Sequence, residues 1–238
     1  ARNYGFKMSQ GDYIQWFDSD DLMVAEKLEL KVKAMQENDV DFVICKFELF
    51  DSNRIYKTYD PKFSTKDILH SFLIKEIGMD TPQPLIKRNT LDYNLIDFNE
   101  ELKRGQELMY FTKFLCFAND YYIIDKVLFK SRVDFKLKEI KSLEIGNQLL
   151  ESHLKVFIFL EDKGERQLLI DFFNIRMRKY LLRALRNDTK KYLEVLTIII
   201  SRTKFFKFKF IQLYVIGVIL SAFKKSNSEF FKQKLLIK

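Results

Sequence analysis

The feature that most constrains this chain is GDYIQWFDSDD, residues 11–21, where an apolar, aromatic run leads directly into three carboxylates within four positions. Residues 13–17 predict a buried strand that ends at the acidic turn. Three close negative charges repel one another and compete for solvation. A cation bound at the turn would convert that repulsion into a binding site, and α/β sheets place their ligands beyond the ends of such strands.

Strand and helix patterns alternate over the first half of the chain. Residues 41–49 and 121–133 are rich in β-branched and aromatic side chains, which is typical of strands. Apolar spacing predicts helices over about residues 24–38, 64–76 and 103–117. From about residue 137 the pattern is almost wholly helical. We therefore predict an α/β domain over residues 1–135, followed by an all-helical extension over residues 136–238.

Three local details accompany these helices. The first helix is expected to present Leu28, Val32 and Met35 to the core, because they recur at helical spacing. Ser64 is expected to cap the second helix. The segment TPQPLIKRN, residues 81–89, holds two of the three prolines of the chain and is predicted to be extended.

The carboxylates of the acidic turn have two interpretations. Asp20 and Asp21 are hard oxygen donors that suit Mg²⁺ or Mn²⁺, with phosphate oxygens completing the coordination. Either residue could instead cap the helix that follows, without any functional role. The turn by itself does not decide between them.

The remaining composition limits other kinds of site. Cys45 and Cys116 lie in apolar runs without metal-ligand spacing, which favours reduced core thiols in a cytosolic setting over a disulfide. His70 and His153 each stand alone on a predicted helix, so we interpret them as packing or surface residues rather than ligands.

The residues around the acidic turn resemble a known family. ARNYGFKMSQGDYIQWFDSDD, residues 1–21, is similar to the A-R-N-x-G and Y-I-x-F-L-D-S-D-D segments of family 2 glycosyltransferases, which have the GT-A fold. KLELKVKAM, from Lys27, is similar to the K-L-E-x-Q segment that follows, with Lys31 where glutamine is usual. The resemblance implies a partial GT-A, Rossmann-like mixed sheet with helices over roughly residues 1–132.

A second segment supports the resemblance. FNEELKRGQELMYFTKFL, residues 98–115, is similar to the family segment that ends in an acidic pair. The family places its catalytic base at the last acid of that pair, and Glu107 occupies this position where aspartate is more common. Without the resemblance, Glu107 would be interpreted as a solvated acid near a helix N-terminus, where the helix dipole favours it.

The resemblance implies transfer of a sugar from a nucleotide diphosphate to an acceptor hydroxyl, with inversion at the anomeric carbon. Asp20 and Asp21 would hold Mn²⁺ or Mg²⁺, Asp18 and Arg2 would bind the donor, and Glu107 would act as the base. Residues 83–87 are expected to lie on the acceptor side. Glycoside hydrolysis also uses two carboxylates, and nucleotidyl transfer or phosphotransfer also needs metal-bound diphosphate, so both remain alternatives.

Family members begin with a nucleotide-base-binding half that does not precede Ala1 in this sequence. We therefore expect the chain to be part of an enzyme of bacterial surface polysaccharide or glycolipid synthesis. The alternative is a catalytically incomplete fragment or relative that acts as a membrane- or partner-binding module.

The C-terminal residues carry the whole positive excess of the chain. Residues 200–238 hold nine Lys or Arg against one acid, which equals the net charge of +8. The apolar run over residues 210–223 is shorter than the roughly 20 residues of a bilayer span. The segment 202–238 is expected either to pack on protein or to lie on an anionic membrane surface. The chain is therefore predicted to be cytoplasmic, and the second alternative would place it peripherally at the inner face of the plasma membrane. Nucleic acid is a less favoured partner, although Lys and Phe interleave as in single-strand binders.

Overall fold

The computed structural model describes residues 1–51, 54–61, 67–118, 120–133, 143–203 and 207–224. The chain divides into two compact units, Ala1–Ile140 and Lys141–Lys238. The first unit contains all six strands found in the described residues, and the described residues of the second unit form helices and their connections.

The first unit is built on a six-stranded mixed sheet. Its strands are β1 (Tyr13–Gln15), β2 (Leu22–Met23), β3 (Phe42–Phe50), β4 (Ile55–Tyr59), β5 (Leu85–Lys87) and β6 (Tyr121–Arg132). The order across the sheet is β1-β5-β3-β6-β2, with β4 paired to β3. β3 and β6 are parallel, and the other pairs are antiparallel. The sheet is thus mixed, as the resemblance implied.

Five helices accompany this sheet: α1 (Arg2–Met8), α2 (Lys27–Asn38), α3 (Ile68–Leu73), α4 (Arg88–Tyr93) and α5 (Gln106–Leu115). The core lies on the central strand β3, whose residues Phe42, Val43, Ile44 and Cys45 have no exposed surface. Such continuous burial is typical of a strand covered on both faces.

Several predicted elements need correction. The segment 81–89 forms a turn, strand β5 and the start of α4, because Leu85 and Ile86 pair with both β1 and β3. Asp67, rather than Ser64, caps α3 by accepting a hydrogen bond from the His70 backbone amide at 2.9 Å. Ser64 lies outside the described residues.

The buried face of α2 is only partly the one that apolar spacing predicted, because Met35 is buried and Val32 packs against the core, whereas Leu28 is not buried. Leu28 is 44% exposed, whereas Lys27 and Lys31 have no exposed surface and lie with Met35 on the inner face. The helix also begins at Lys27, three residues later than expected. Predicted faces assume that lysine stays in water, and α2 breaks that assumption.

The second unit is a set of helices: α6 (Leu143–Lys163), α7 (Arg166–Phe172), α8 (Arg178–Asn187), α9 (Thr189–Arg202) and α10 (Lys207–Lys224). A π-helical turn over Phe173–Met177 joins α7 to α8. His153 is buried in α6 between the rings of Phe172 and Tyr180. It is therefore a packing residue, which was one of the two roles predicted for it.

Both cysteines are free thiols. No helix in the described part of the chain combines the length and apolar character needed to cross a bilayer.

Candidate active site

The acidic turn follows β1 and is held by the end of β6. Within the turn, the Asp21 backbone amide donates to the Asp18 carbonyl at 3.2 Å. Arg132 holds the turn from outside: its Nε donates to the Asp20 carbonyl at 3.0 Å, and its backbone amide donates to Asp21 Oδ1 at 2.8 Å. The turn is therefore fixed by its backbone, while the Asp20 side chain remains exposed.

Neither Asp20 nor Asp21 caps the helix that follows. The residue before α2 is Glu26, and no side chain makes a capping hydrogen bond there. The interpretation of these aspartates as a helix cap is therefore wrong.

Arg2 joins two of the predicted site residues. Its Nη2 lies 3.1 Å from Asp18 Oδ1, and its Nη1 lies 2.8 Å from Glu107 Oε1. Burial opposes the guanidinium charge, but the hydrogen bonds that Arg2 donates to Glu107 and Asp18, with the negative charges of both carboxylates, outweigh burial and raise the pKa of Arg2. Arg2, Asp18 and Glu107, which are up to 105 residues apart in sequence, therefore meet at one place.

The side chain of Asn3 brings the two family-like segments together. The Asn3 side chain donates to the Phe98 carbonyl at 2.8 Å and accepts from the Phe98 amide at 2.9 Å. The ring of Phe98 in turn lies 4.9 Å from the Arg2 guanidinium carbon. Gly105 precedes α5 with a φ of 73°, which favours glycine, and Glu107 follows in the first turn of that helix.

An aromatic cluster lies behind these charges. Trp16 is buried and donates from Nε1 to the Tyr110 hydroxyl at 3.0 Å. Phe98 and Tyr110 stack with ring centroids 4.1 Å apart, and Trp16 packs edge-on against both rings. These contacts connect β1 to α5, so the distance between the acidic turn and Glu107 is set by rigid packing.

Asp80 is a site carboxylate that the sequence did not reveal. It accepts from the Thr81 amide at 3.0 Å and from the Ser131 hydroxyl. Burial, with smaller contributions from the charges of Asp18 and Glu107, raises its pKa despite those hydrogen bonds. Its surroundings in sequence, GMDTPQP, resemble an ordinary turn, so only the three-dimensional structure shows that it faces the other carboxylates.

Asp21 has the most perturbed carboxyl group of the turn. Burial and the neighbouring Asp80, Asp20 and Asp18 charges raise its pKa to about 6, although the hydrogen bond from Arg132 opposes the rise. A divalent cation would remove this penalty. Among the described residues no group of three or more His, Cys, Asp or Glu side chains could hold a metal ion, whereas Mg²⁺ commonly uses one or two carboxylates together with substrate phosphates. The pair of Asp20 and Asp21 fits a cation of that second kind.

A cavity of about 700 Å³ opens beside α1 and β1. Its walls include Arg2 and Asp18 together with the rings of Phe6, Tyr13 and Trp16. It thus combines aromatic surface with one positive and one negative group, next to the acidic turn.

Residues 83–87 do not line this cavity. Gln83 is fully buried and donates from Nε2 to the Cys45 carbonyl at 2.9 Å, while Lys87 pairs with Asp39 at 2.8 Å. The segment forms β5 inside the sheet, and its placement on the acceptor side stays a prediction.

The fold is that of GT-A glycosyltransferases. The crystal structure of Staphylococcus aureus TarS 1-349 superposes with a TM-score of 0.62 at 18% identity, covering 85% of this chain and 59% of that chain. A structure of the same TarS fragment is in complex with UDP-GlcNAc.

Residues 1–99 match the family described as Glycosyl transferase family 2. The uncharacterized glycosyltransferase MJ1057 of Methanocaldococcus jannaschii is 29% identical over 164 residues, covering 65% of this chain and 55% of that protein. The UDP-Glc:alpha-D-GlcNAc-diphosphoundecaprenol beta-1,3-glucosyltransferase WfgD of Escherichia coli is 28% identical over 92 residues, covering 39% of this chain and 35% of WfgD. The N-terminal part of the chain is thus similar to glycosyltransferase family 2, and the chain spans about a third to just over half the length of these two relatives.

Proposed function

We propose that the protein is a metal-dependent, inverting glycosyltransferase that moves a sugar from a nucleotide diphosphate sugar to an acceptor hydroxyl. The observation that carries this proposal is the contact of Arg2 with both Asp18 and Glu107 beside the acidic turn. This contact brings Asp18 and Glu107 to the two ends of one guanidinium group, which supports a donor-binding residue and a base on either side of a sugar ring.

Glu107 would receive the proton of the acceptor hydroxyl as its oxygen attacks the anomeric carbon. The bond from that carbon to the diphosphate oxygen breaks in the same displacement, so the configuration inverts and the nucleotide diphosphate leaves. Glu107 reaches the site from the first turn of α5, where its carboxylate is 41% exposed and able to meet an acceptor.

Arg2 and Asp18 would bind the donor. A guanidinium suits the diphosphate because its planar donors pair with two oxygens at once. Asp18 would accept hydrogen bonds from hydroxyls of the ribose or sugar. The cavity beside them is large enough for a nucleotide, and its aromatic walls suit a base.

Asp20 and Asp21 would hold Mg²⁺ or Mn²⁺ together with the diphosphate. When bound, the ion supplies positive charge to the departing diphosphate. Arg132 donates hydrogen bonds to the Asp20 backbone carbonyl and to the Asp21 carboxylate, so the turn does not need the ion to keep its shape.

The acceptor is proposed to be a bacterial surface polysaccharide or a glycolipid precursor, because the name of WfgD describes a diphosphoundecaprenol-linked acceptor. Such an acceptor would be reached from the cytoplasmic side of the plasma membrane. Hydrolysis and phosphotransfer are less favoured, since the fold is shared with glycosyltransferases.

The transferase proposal is tested by incubating the protein with labelled nucleotide sugars, Mn²⁺ and lipid-linked or polymeric acceptors. We expect a glycosylated product with inverted anomeric configuration by NMR, and a loss of about 10² to 10⁴-fold in kcat for Glu107→Gln. Glu37→Gln, on the exposed end of α2, is the matched control and should keep full activity. Release of free sugar or of nucleoside monophosphate in place of product would support the alternatives.

The helix α10 supports a second proposal, peripheral attachment to an anionic membrane. One side of the helix packs on α9, where the Tyr192 hydroxyl donates to the Leu213 carbonyl at 2.8 Å and Gly217 leaves no room for a Cβ. Ile211, Val215 and Val218 recur at helical spacing and are 39–49% exposed. The same region of sequence carries the whole positive excess, which favours anionic lipid.

Sedimentation with vesicles tests the attachment. The protein should bind vesicles that contain phosphatidylglycerol and leave neutral ones unbound, and Val215→Glu should weaken this binding. Thr197→Glu, on exposed α9 surface, serves as the control. A preference for single-stranded oligonucleotide at ordinary ionic strength would contradict the membrane proposal.

A further inference from the structure

The inner face of α2 carries two fully buried lysines. Lys27 and Lys31 each have no exposed surface, and they lie one helical turn apart. Lysine is almost never fully buried unless its ammonium is paired. The question is what these two ammonium groups hold.

Lys27 contacts three segments that reach the carboxylate site. Its Nζ donates to the Pro82 carbonyl at 2.8 Å and lies 4.7 Å and 4.5 Å from the ring centroids of Phe17 and Phe129. Phe17 directly precedes Asp18 in the chain. Pro82 follows Asp80 by two residues, so one ammonium connects the acidic turn, the Asp80 segment and β6.

Lys31 contacts the next residue of the same segment, because its Nζ donates to the backbone carbonyl of Gln83. The backbone amide of Gln83 donates in turn to the Asp80 backbone carbonyl at 2.9 Å, which closes the turn that carries Asp80. The two lysines therefore hold consecutive carbonyl groups of one turn.

This arrangement costs stability. Burial lowers the pKa of Lys27 to about 7 and that of Lys31 to about 8. Buried ionic groups can often be replaced by apolar residues of similar volume with little loss, or even a gain, of stability. A pair of methionines would fill the same space, so stability alone does not explain the lysines.

We propose that Lys27 is a positioning residue of the transferase site, which fixes Asp80 and the acidic turn relative to each other, and that Lys31 supports it. The inference rests on the glycosyl transfer proposed above. Lys27 has no contact with substrate in this role. It acts through the Pro82 carbonyl and the rings of Phe17 and Phe129.

Lys27→Met tests the proposal with little risk to folding. Methionine keeps the length of the side chain and removes the desolvated charge. The Pro82 carbonyl keeps a second donor, since Gln15 Nε2 lies 3.0 Å from it. Lys33→Met is the matched control, because Lys33 lies on the exposed side of α2 and pairs only with Glu37 among the described residues.

Two measurements are made on the full chain. Hydrogen exchange of the Gln83 amide should become at least about tenfold faster in Lys27→Met, because the turn that protects it loosens. The kcat should fall by roughly 10 to 100-fold with a smaller change in the donor KM, since misplacement by about 1 Å can cost that much. Lys33→Met should change neither quantity.

A double-mutant cycle with Asp80→Asn separates positioning from general loosening. If Lys27 acts through the Asp80 turn, the two substitutions together reduce kcat by less than the product of their separate effects. If the two effects on kcat multiply, or if the Gln83 backbone amide exchanges as slowly in Lys27→Met as in the wild type, the proposal is wrong. Should Lys27→Met fail to fold, Lys31→Met replaces it with the same readouts. If the wild-type chain transfers no sugar, the proposed function fails, and the exchange measurement still decides whether Lys27 holds the turn.

Discussion

The two units of this chain use buried polar groups in different ways. In the first unit, the half-buried Arg2 pairs with the carboxylates of Asp18 and Glu107, and the buried Lys27 donates to the carbonyl of Pro82, which follows Asp80 by two residues. In the second unit, Thr203 donates to the buried Glu161 at 3.2 Å, a contact between helices that leads to no cavity or cluster described above. A buried polar group therefore indicates a functional site only when its contacts lead to side chains that a ligand can reach.

The largest expected effect concerns the exposed carboxylate of the first unit. Asp20→Asn should lower transfer by at least roughly 100-fold, because the amide is a poorer ligand for the ion than the carboxylate. Loss of a residue that only supports a metal ligand can already cost that much. Calorimetry with Mn²⁺ and UDP measures the accompanying loss of affinity. Asp97→Asn, an exposed partner of Lys113, should leave both quantities unchanged. If the Asp20 variant bound Mn²⁺ as tightly as the wild type does, the proposed metal dependence would be contradicted.

A smaller effect is expected at the bridging arginine. Arg2→Met removes two charge-assisted hydrogen bonds and should lower kcat/KM by roughly 10 to 100-fold, with most of the change in the donor KM. Steady-state kinetics at varied donor concentration gives the split. A fall in kcat alone would assign Arg2 to the orientation of Glu107 rather than to the donor.

A substitution in the second unit should change the stability of the protein without changing its activity. Thr203→Val removes a hydrogen bond to the buried Glu161 carboxyl, which costs about 1 to 3 kcal/mol of unfolding free energy. Urea denaturation measures this cost, and kcat is expected to stay unchanged. Thr197→Val is the control, because Thr197 is exposed on the same helix and bonds only to its own turn. A large loss of kcat in the Thr203 variant would break the contrast between the units.

The smallest effect is a dependence of stability on pH. Lys27 faces Lys31, Cys45 and Asp21, and burial lowers its pKa to about 7, against about 10.4 in the unfolded chain. Between these two values the unfolded state binds more protons than the folded state, so stability due to this group rises with pH from about 7 to about 10. As pH rises through that window, the free energy of unfolding of the wild type should therefore increase relative to that of Lys27→Met. A constant difference would indicate that Lys27 stays charged in its buried position.

The sequence predicted the acidic turn, the core strand β3 and the helix that carries Glu107 because each depends on local pattern. It also identified Arg2, Asp18 and Glu107 separately through the family resemblance. Their meeting at one guanidinium depends on packing between segments about 100 residues apart, which no local pattern expresses.

The errors share one physical cause. The face of α2 was predicted from apolar spacing, which does not anticipate a buried lysine, and residues 81–89 were predicted to be extended but were not assigned to the sheet. In both cases tertiary contacts supply what the local rule lacks. Carbonyl groups of Pro82 and Gln83 accept from the buried lysines, and the strand begins only after the second proline.

The buried indole of Trp16 has a practical consequence. It is the sole tryptophan of the chain, and it lines the cavity while bonding to Tyr110. Its emission therefore reports from a single known location, without any dye or tag. Titration with unlabelled nucleotides can be followed by this native fluorophore, so the occupancy of the pocket becomes an optical signal that is independent of turnover.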